Sequence, residues 1–194
     1  MTKGKTKGTS FERDICKQLS LWWSNGKTDD IFWRTASSGG RATQRSKQKA
    51  STFGQYGDVQ ATDPQGQPLI DLCTIEIKVG YSRQTIFDLV DKLPTETQQT
   101  YKKFIQQAKQ DNANSDSHYW ILITKRRYKE TLIIMPTNLY LQLKMNGSHI
   151  AKAKPAFQFM LDGERKGSIW KLYGTTLTQF FKHTRPKEIK DLIN

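Results

Sequence analysis

The sequence has very little cysteine or histidine. Its 194 residues include two Cys (Cys16, Cys73) and three His (His118, His149, His183), scattered with no zinc-ligand or disulfide-framework spacing. That excludes a zinc centre and a disulfide scaffold, and makes a reducing, cytoplasmic setting the expectation. Any metal would have to be held by carboxylates, which points to magnesium, with manganese able to substitute. Long apolar runs are missing too. No stretch approaches the ~20 residues of a membrane helix. Residues 1–10 are basic with no hydrophobic segment behind them, so neither a membrane span nor a secretory leader is expected. Acidic residues are scarce: 18 Asp and Glu stand against 31 Lys and Arg, a net charge of +13. With no membrane partner indicated, this balance points to nucleic acid, against the plainer reading of a merely basic surface.

What is present suits one domain of mixed secondary structure, without internal repeats. Residues 1–9 read as a flexible basic arm. A first helix is expected from about Ser10, with Phe11, Ile15, Leu19 and Trp22 on one face, a Thr9/Glu12 capping box at its start and Asn25-Gly26 at its end. Residues 31–36 form a short strand. The basic, polar stretch around Arg41, Arg45, Lys47 and Lys49 reads as a loop. A hairpin follows: one strand over 56–62, a turn at Asp63-Pro64-Gln65-Gly66 and a long strand over 69–79. Helices are expected over 85–93 and 97–111, the second burying Tyr101, Phe104, Ile105 and Ala108. Strands over 119–124 and 131–135 flank a basic turn at Lys125-Arg126-Arg127, and a short helix runs to Leu143. Residues 10–144 thus read as the core, and 145–194 as an extension packed on it or continuing it. In the extension, strands are expected over 157–161 and 169–173 and a helix over 175–183.

One segment carries chemistry. In Thr74-Ile75-Glu76-Ile77-Lys78-Val79, alternation sends Ile75, Ile77 and Val79 to the core and Glu76 with Lys78 to the opposite face. Ile70 and Leu72 would share that second face, making the strand apolar on both sides and central. A carboxylate and an ammonium in such a strand are costly unless paired or metal-bound. Across the turn, Asp58 would approach Glu76, though the register of the hairpin is open. Asp58, Glu76 and the Ile77 carbonyl make half a magnesium shell. Lys78 would then orient the nucleophile or stabilise the charge of phosphodiester hydrolysis. The plainer readings are a solvated Glu-x-Lys pair, a turn aspartate after Gly57 and a capping Glu12. Gly4-Lys5-Thr6 and Gly26-Lys27-Thr28 lack the remaining parts of a phosphate loop.

Asp58…Glu76-Ile77-Lys78 resembles the motif of the PD-(D/E)XK nuclease superfamily, and within it the archaeal-type Holliday junction resolvases. Three further segments resemble that pattern: residues 7–13, residues 34–40 (Arg-Thr-Ala-Ser-Ser-Gly-Gly) and Tyr56-Gly57-Asp58-Val59, where Gly57 replaces a frequent proline. The resemblance covers roughly residues 7–135. It implies an α/β, restriction-endonuclease-like mixed sheet flanked by helices, with an αβββαβ core. It implies Glu12, Asp58 and Glu76 as metal-linked carboxylates, Lys78 as the catalytic lysine, and Ser37 or Ser38 near the scissile phosphate. It also implies a homodimer acting on branched DNA. The chain exceeds the compact resolvase core, which leaves open a restriction-type or phage enzyme for duplex DNA. A catalytically silent DNA-binding module and a nuclease acting on RNA are the remaining alternatives. Arg34, Arg41, Arg45, Lys47, Lys49, Lys125, Arg126 and Arg127 are the candidate DNA-binding residues, by charge.

Overall fold

The middle strands of the chain are apolar on both faces, and this sets the layering. In β4 (Tyr119–Lys125), Trp120 and Leu122 are buried on one side and Ile121 and Ile123 on the other. In β5 (Thr131–Pro136), Ile134 goes to the first side and Ile133 and Met135 to the second. A sheet with two such faces needs cover on both. The computed structural model describes residues 3–35, 56–81, 83–91, 100–163 and 167–193.

The chain runs through α1 (Lys3–Trp23), β1 (Phe32–Arg34), β2 (Val59–Ala61), α2 (Gln67–Leu72), β3 (Cys73–Val79), α3 (Asp88–Asp91), α4 (Thr100–Ala113), β4 and β5. It continues as α5 (Thr137–Met145), β6 (Ala156–Asp162), β7 (Ile169–Thr176), α6 (Leu177–His183) and α7 (Pro186–Lys190). Five strands form one mixed sheet in the order β3-β4-β5-β7-β6, with β3 and β4 parallel and the other pairs antiparallel. One face is covered by α1, α5 and α6, and the other by α4 through Tyr101, Phe104, Ile105 and Ala108. This is the expected mixed α/β sheet flanked by helices, consistent with a restriction-endonuclease-like fold. No helix among the described residues is long and apolar enough to cross a membrane.

Three local expectations are corrected. Helix α1 already runs from Lys3, so Thr9 and Glu12 lie inside it and form no capping box. Phe11, Ile15 and Leu19 are buried as expected, joined by Trp23, while Trp22 is half-buried and donates to the Thr184 carbonyl at 2.9 Å. Second, no hairpin joins residues 56–62 to 69–79. Strand β2 pairs with β1 instead (Arg34↔Val59), and a 3-10 turn (Pro64–Gly66) followed by α2 leads into β3. Ile70 and Leu72 are helix residues, half-buried and buried, so they share no strand face with Glu76. Third, the described helix within 85–93 is the single turn of α3.

Residues 145–194 do more than pack on the sheet. Strand β7 pairs directly with β5, and β6 closes the row. Phe157 lies over its register partner Gly174, where a Cβ would fall 2.1 Å from the ring. Ser148 is buried and donates to the His183 carbonyl at 3.0 Å, tying the end of α5 to the end of α6.

Candidate active site

The site is built on the open edge of β3. Along a strand, the N–H and C=O groups of one residue leave on the same side, and those of its neighbours on the other. Here Ile75 and Ile77 turn their backbone groups away from β4, toward Asp58. The Asp58 N–H donates to the Ile75 carbonyl at 2.7 Å, and its Oδ2 accepts the Ile77 N–H at 2.8 Å. A carboxylate therefore takes the place that a backbone carbonyl would hold in a continuing ladder. By the same alternation the Ile77 carbonyl sits on this edge beside Asp58. Thr35 completes the support: its N–H donates to the Asp58 carbonyl (3.1 Å), and its hydroxyl to that of Gly57 (2.9 Å).

Gly57 makes the approach possible. Its φ is +75°, and a Cβ there would lie 2.7 Å from the Ile75 carbonyl oxygen and 2.9 Å from the Thr74 methyl. Gly57→Ala is expected to cost roughly 2 kcal/mol or more, from the left-handed backbone and the clash together. For a chain of this size that is a fall in Tm of about 4–8 °C. A Tm equal to wild type would show that this approach is not constrained.

Glu76 and Lys78 lie on the α4 face of β3, because Glu76 is the register partner of Leu122, which packs under α4. Glu76 is 1% exposed and Asp58 5%. Lys78 is half-buried, its ammonium bonded to Glu76 Oε1 and 5.9 Å from the Phe104 ring centre. Burial, and then the like charge of Asp58, hold the Glu76 carboxyl far above the usual carboxylate range, although Lys78 pulls it down. Burial is the largest influence on Lys78 and works to lower its pKa, but the attraction and hydrogen bond to Glu76, with Asp58 and Tyr81, together raise it and the ammonium stays charged. The two expected carboxylates thus feel each other across the β3 edge, with Lys78 alongside.

Glu12 approaches from the opposite face. Its Oε2 accepts from Arg34 Nε at 2.7 Å, so Arg34, expected as a DNA contact, is engaged with α1. Cys16, one turn further along α1, has its thiol pushed up to about 12 by burial first, then by Glu12 and Asp58. Both carboxylates therefore border the same stretch of α1. Among the described residues, no group of three or more His, Cys, Asp or Glu side chains stands where they could hold one metal ion. Ser37, Ser38, Arg41, Arg45, Lys47 and Lys49 lie outside the described residues.

One residue at the site had no signal in the sequence. Asp111, near the end of α4, shares a hydrogen bond with the Glu76 side chain and another with Gln107, and it faces Lys78. Burial raises its pKa against all three of those groups. Its position depends on how α4 crosses the sheet, which helical periodicity alone does not reveal.

Beyond the end of β3 a cleft of about 650 Å³ opens between Phe11 and Asp14 of α1, Gly80, and the expected basic trio Lys125, Arg126 and Arg127. Lys125 is the register partner of Val79, the residue after Lys78, so the basic turn lies at the end of β3, and the cleft opens on the α1 face, opposite the face of Glu76 and Lys78. The Lys125 ammonium lies 6.0 Å from the Phe11 ring centre.

A buried acid pair with a lysine, on a strand that ends at a basic cleft, is an arrangement suited to work on phosphodiesters. No curated protein and no solved structure matches the chain. A family model described as "Phage putative PDDEXK endonuclease" matches residues 3–191, and the chain belongs to that endonuclease family.

Proposed function

We propose that the chain is a magnesium-dependent DNA endonuclease, with manganese able to substitute, and that branched DNA is its preferred substrate. The observation that carries the metal-dependent chemistry is the convergence of the buried carboxylates of Asp58 and Glu76, with Lys78 beside them, on the open edge of β3. The donor set fits the ion. Two carboxylates and the Ile77 carbonyl are hard oxygen donors, and two buried like charges call for a compensating cation. Bound there, a divalent ion would lower the pKa of a water and neutralise charge on the phosphate.

The chain's own groups do the rest. Asp58 is fixed by the Ile77 N–H and its backbone bonds, so its carboxylate is positioned before substrate arrives. Lys78 would place its ammonium against the charge building on the phosphate oxygens. Lys125, Arg126 and Arg127 would hold flanking phosphates, which positions the DNA without reading sequence. Glu12, through its pair with Arg34, would support the site from the α1 side. Ser37 or Ser38 would contact the scissile phosphate region, as the resolvase resemblance implies, and Arg41, Arg45, Lys47 and Lys49 would hold the DNA backbone by charge. A homodimer that sets two sites on one junction belongs to the same reading.

The family description is compatible with a second reading, a phage endonuclease, for which duplex DNA is the substrate to test. Competition separates the two. A four-way junction, a blunt duplex, a single strand and an RNA duplex are offered together with magnesium. The proposal expects the junction to be cut first. Duplex cutting at an equal or higher rate would select the second reading, and preferred RNA cutting would overturn both. No cleavage of any substrate by folded protein would refute the enzyme.

A further inference from the structure

The β4–β5 turn holds a residue that turn chemistry disfavours. Lys129 N–H donates to the Arg126 carbonyl at 3.1 Å, which closes a four-residue turn with Tyr128 at its third position. Tyr128 has φ +59°. A third turn position with positive φ favours glycine or asparagine, and a bulky side chain there is an outlier. The ring gains no core packing in exchange, since Tyr128 is 83% exposed.

What holds the ring is Arg127. Its guanidinium carbon stands 4.6 Å from the Tyr128 ring centre, and its Nη2 donates to the phenol oxygen at 2.6 Å. The guanidinium braces the ring on one side and leaves the rest of it to solvent. The same turn contributes Lys125, Arg126 and Arg127 to the basic cleft that begins one strand position past Lys78. An exposed aromatic ring, held in a costly backbone conformation and flanked by cations, has the two parts of a base-stacking platform.

We propose that the β4–β5 turn carries a nucleobase subsite, in which Tyr128, braced by Arg127, stacks on a base of the DNA held in the adjoining cleft. In a continuous duplex the faces of the bases are covered by their neighbours. A ring fixed on a short turn finds an open base face only where stacking is interrupted, at a junction, a fork or a single-stranded tail. The subsite therefore selects DNA with unstacked bases. This rests on the DNA-endonuclease reading and assigns it a substrate class.

The test is equilibrium binding in chelator, by fluorescence anisotropy, of a blunt duplex and of the same duplex carrying a single-stranded tail. Wild type is expected to prefer the tailed DNA. Tyr128→Ala is expected to weaken tailed-DNA binding by about 5- to 100-fold, the range for loss of one stacked base, and to bring the ratio of the two affinities toward one. Tyr128→Phe, which keeps the ring, should keep the preference. Tyr128→Asn suits the left-handed turn, so it should raise Tm and still lose the preference, which separates stacking from folding. An unchanged preference in Tyr128→Ala and Tyr128→Asn would overturn the subsite while the DNA-binding reading stands. Failure of wild type to bind either DNA would overturn both.

Discussion

Glu76→Gln is expected to abolish magnesium-dependent cleavage of DNA, by about a thousandfold or more, without weakening DNA binding in chelator. The size follows from the role proposed for the carboxylate. Metal stabilisation of phosphoryl charge is worth several kcal/mol, and each ~1.4 kcal/mol lost from the barrier is about tenfold in rate. Gln is close to Glu in shape, so β3 and its neighbours should stay in place. It has no charge to hold a divalent ion and leaves Lys78 without its anion. Binding should not fall, because the change removes a negative charge from a surface that receives phosphates. The measurement pairs single-turnover cleavage with anisotropy binding on the same DNA. Cleavage within tenfold of wild type would remove Glu76 from the centre of the chemistry. If the chain were a silent binding module, wild type and variant would bind alike and neither would cut.

The same substitution is expected to stabilise the metal-free protein, increasingly so as pH rises. Burial and the nearby Asp58 raise the Glu76 carboxyl from its ordinary value of 4.5 to about 8 in the folded chain. A group raised on folding contributes stability that is fully present below its unfolded pKa and is lost as pH climbs through its folded pKa. For Glu76 the window therefore runs from about 4.5 to about 8. At roughly 1.4 kcal/mol per unit, the loss across that window amounts to a few kcal/mol for wild type. Glu76→Gln has no proton to lose and escapes it. In chelator, the Tm of Glu76→Gln should thus be close to wild type near pH 4.5 and exceed it by several degrees at pH 9, at about 2–4 °C per kcal/mol. A difference that stays constant or shrinks with pH would show that Glu76 is not the strained group. A difference that grows with pH would join loss of activity to gain of stability in one carboxylate.

The sheet was legible where both periodicities were strong. Residues 119–124 and 131–135 read as strands, and they fold as strands, with Trp120, Ile121, Leu122, Ile123, Ile133, Ile134 and Met135 buried. Tyr101, Phe104, Ile105 and Ala108 announced the buried stripe of α4. Where the apolar run was short, the reading slipped. Pro-Leu-Ile-Asp-Leu at 68–72 fits a strand or a helical turn equally well, and Pro68 at a helix start was the signal for the second. The N-terminal residues read as an arm because Gly4 and Gly8 are poor helix formers, yet α1 extends through both. In the site, motif spacing named Asp58, Glu76 and Lys78 but not the way they meet. The carboxylate of Asp58 caps the edge of β3 through the Ile77 N–H in place of a hairpin ladder. Asp111 lay beyond reach, because nothing local ties residue 111 to residue 76.

If Asp58, Glu76 and Lys78 form a hydrolytic site, Lys78→Met should slow it sharply. Methionine keeps an apolar stem against Phe104 and removes only the ammonium. Wild type and Lys78→Met, both shown to be folded, are incubated with plasmid DNA and magnesium, and nicking is followed over time. Wild type is expected to nick the plasmid and to stop in chelator, and Lys78→Met to nick it more slowly, by about a hundredfold or more. Equal nicking by the two proteins would contradict a hydrolytic site built on these three residues.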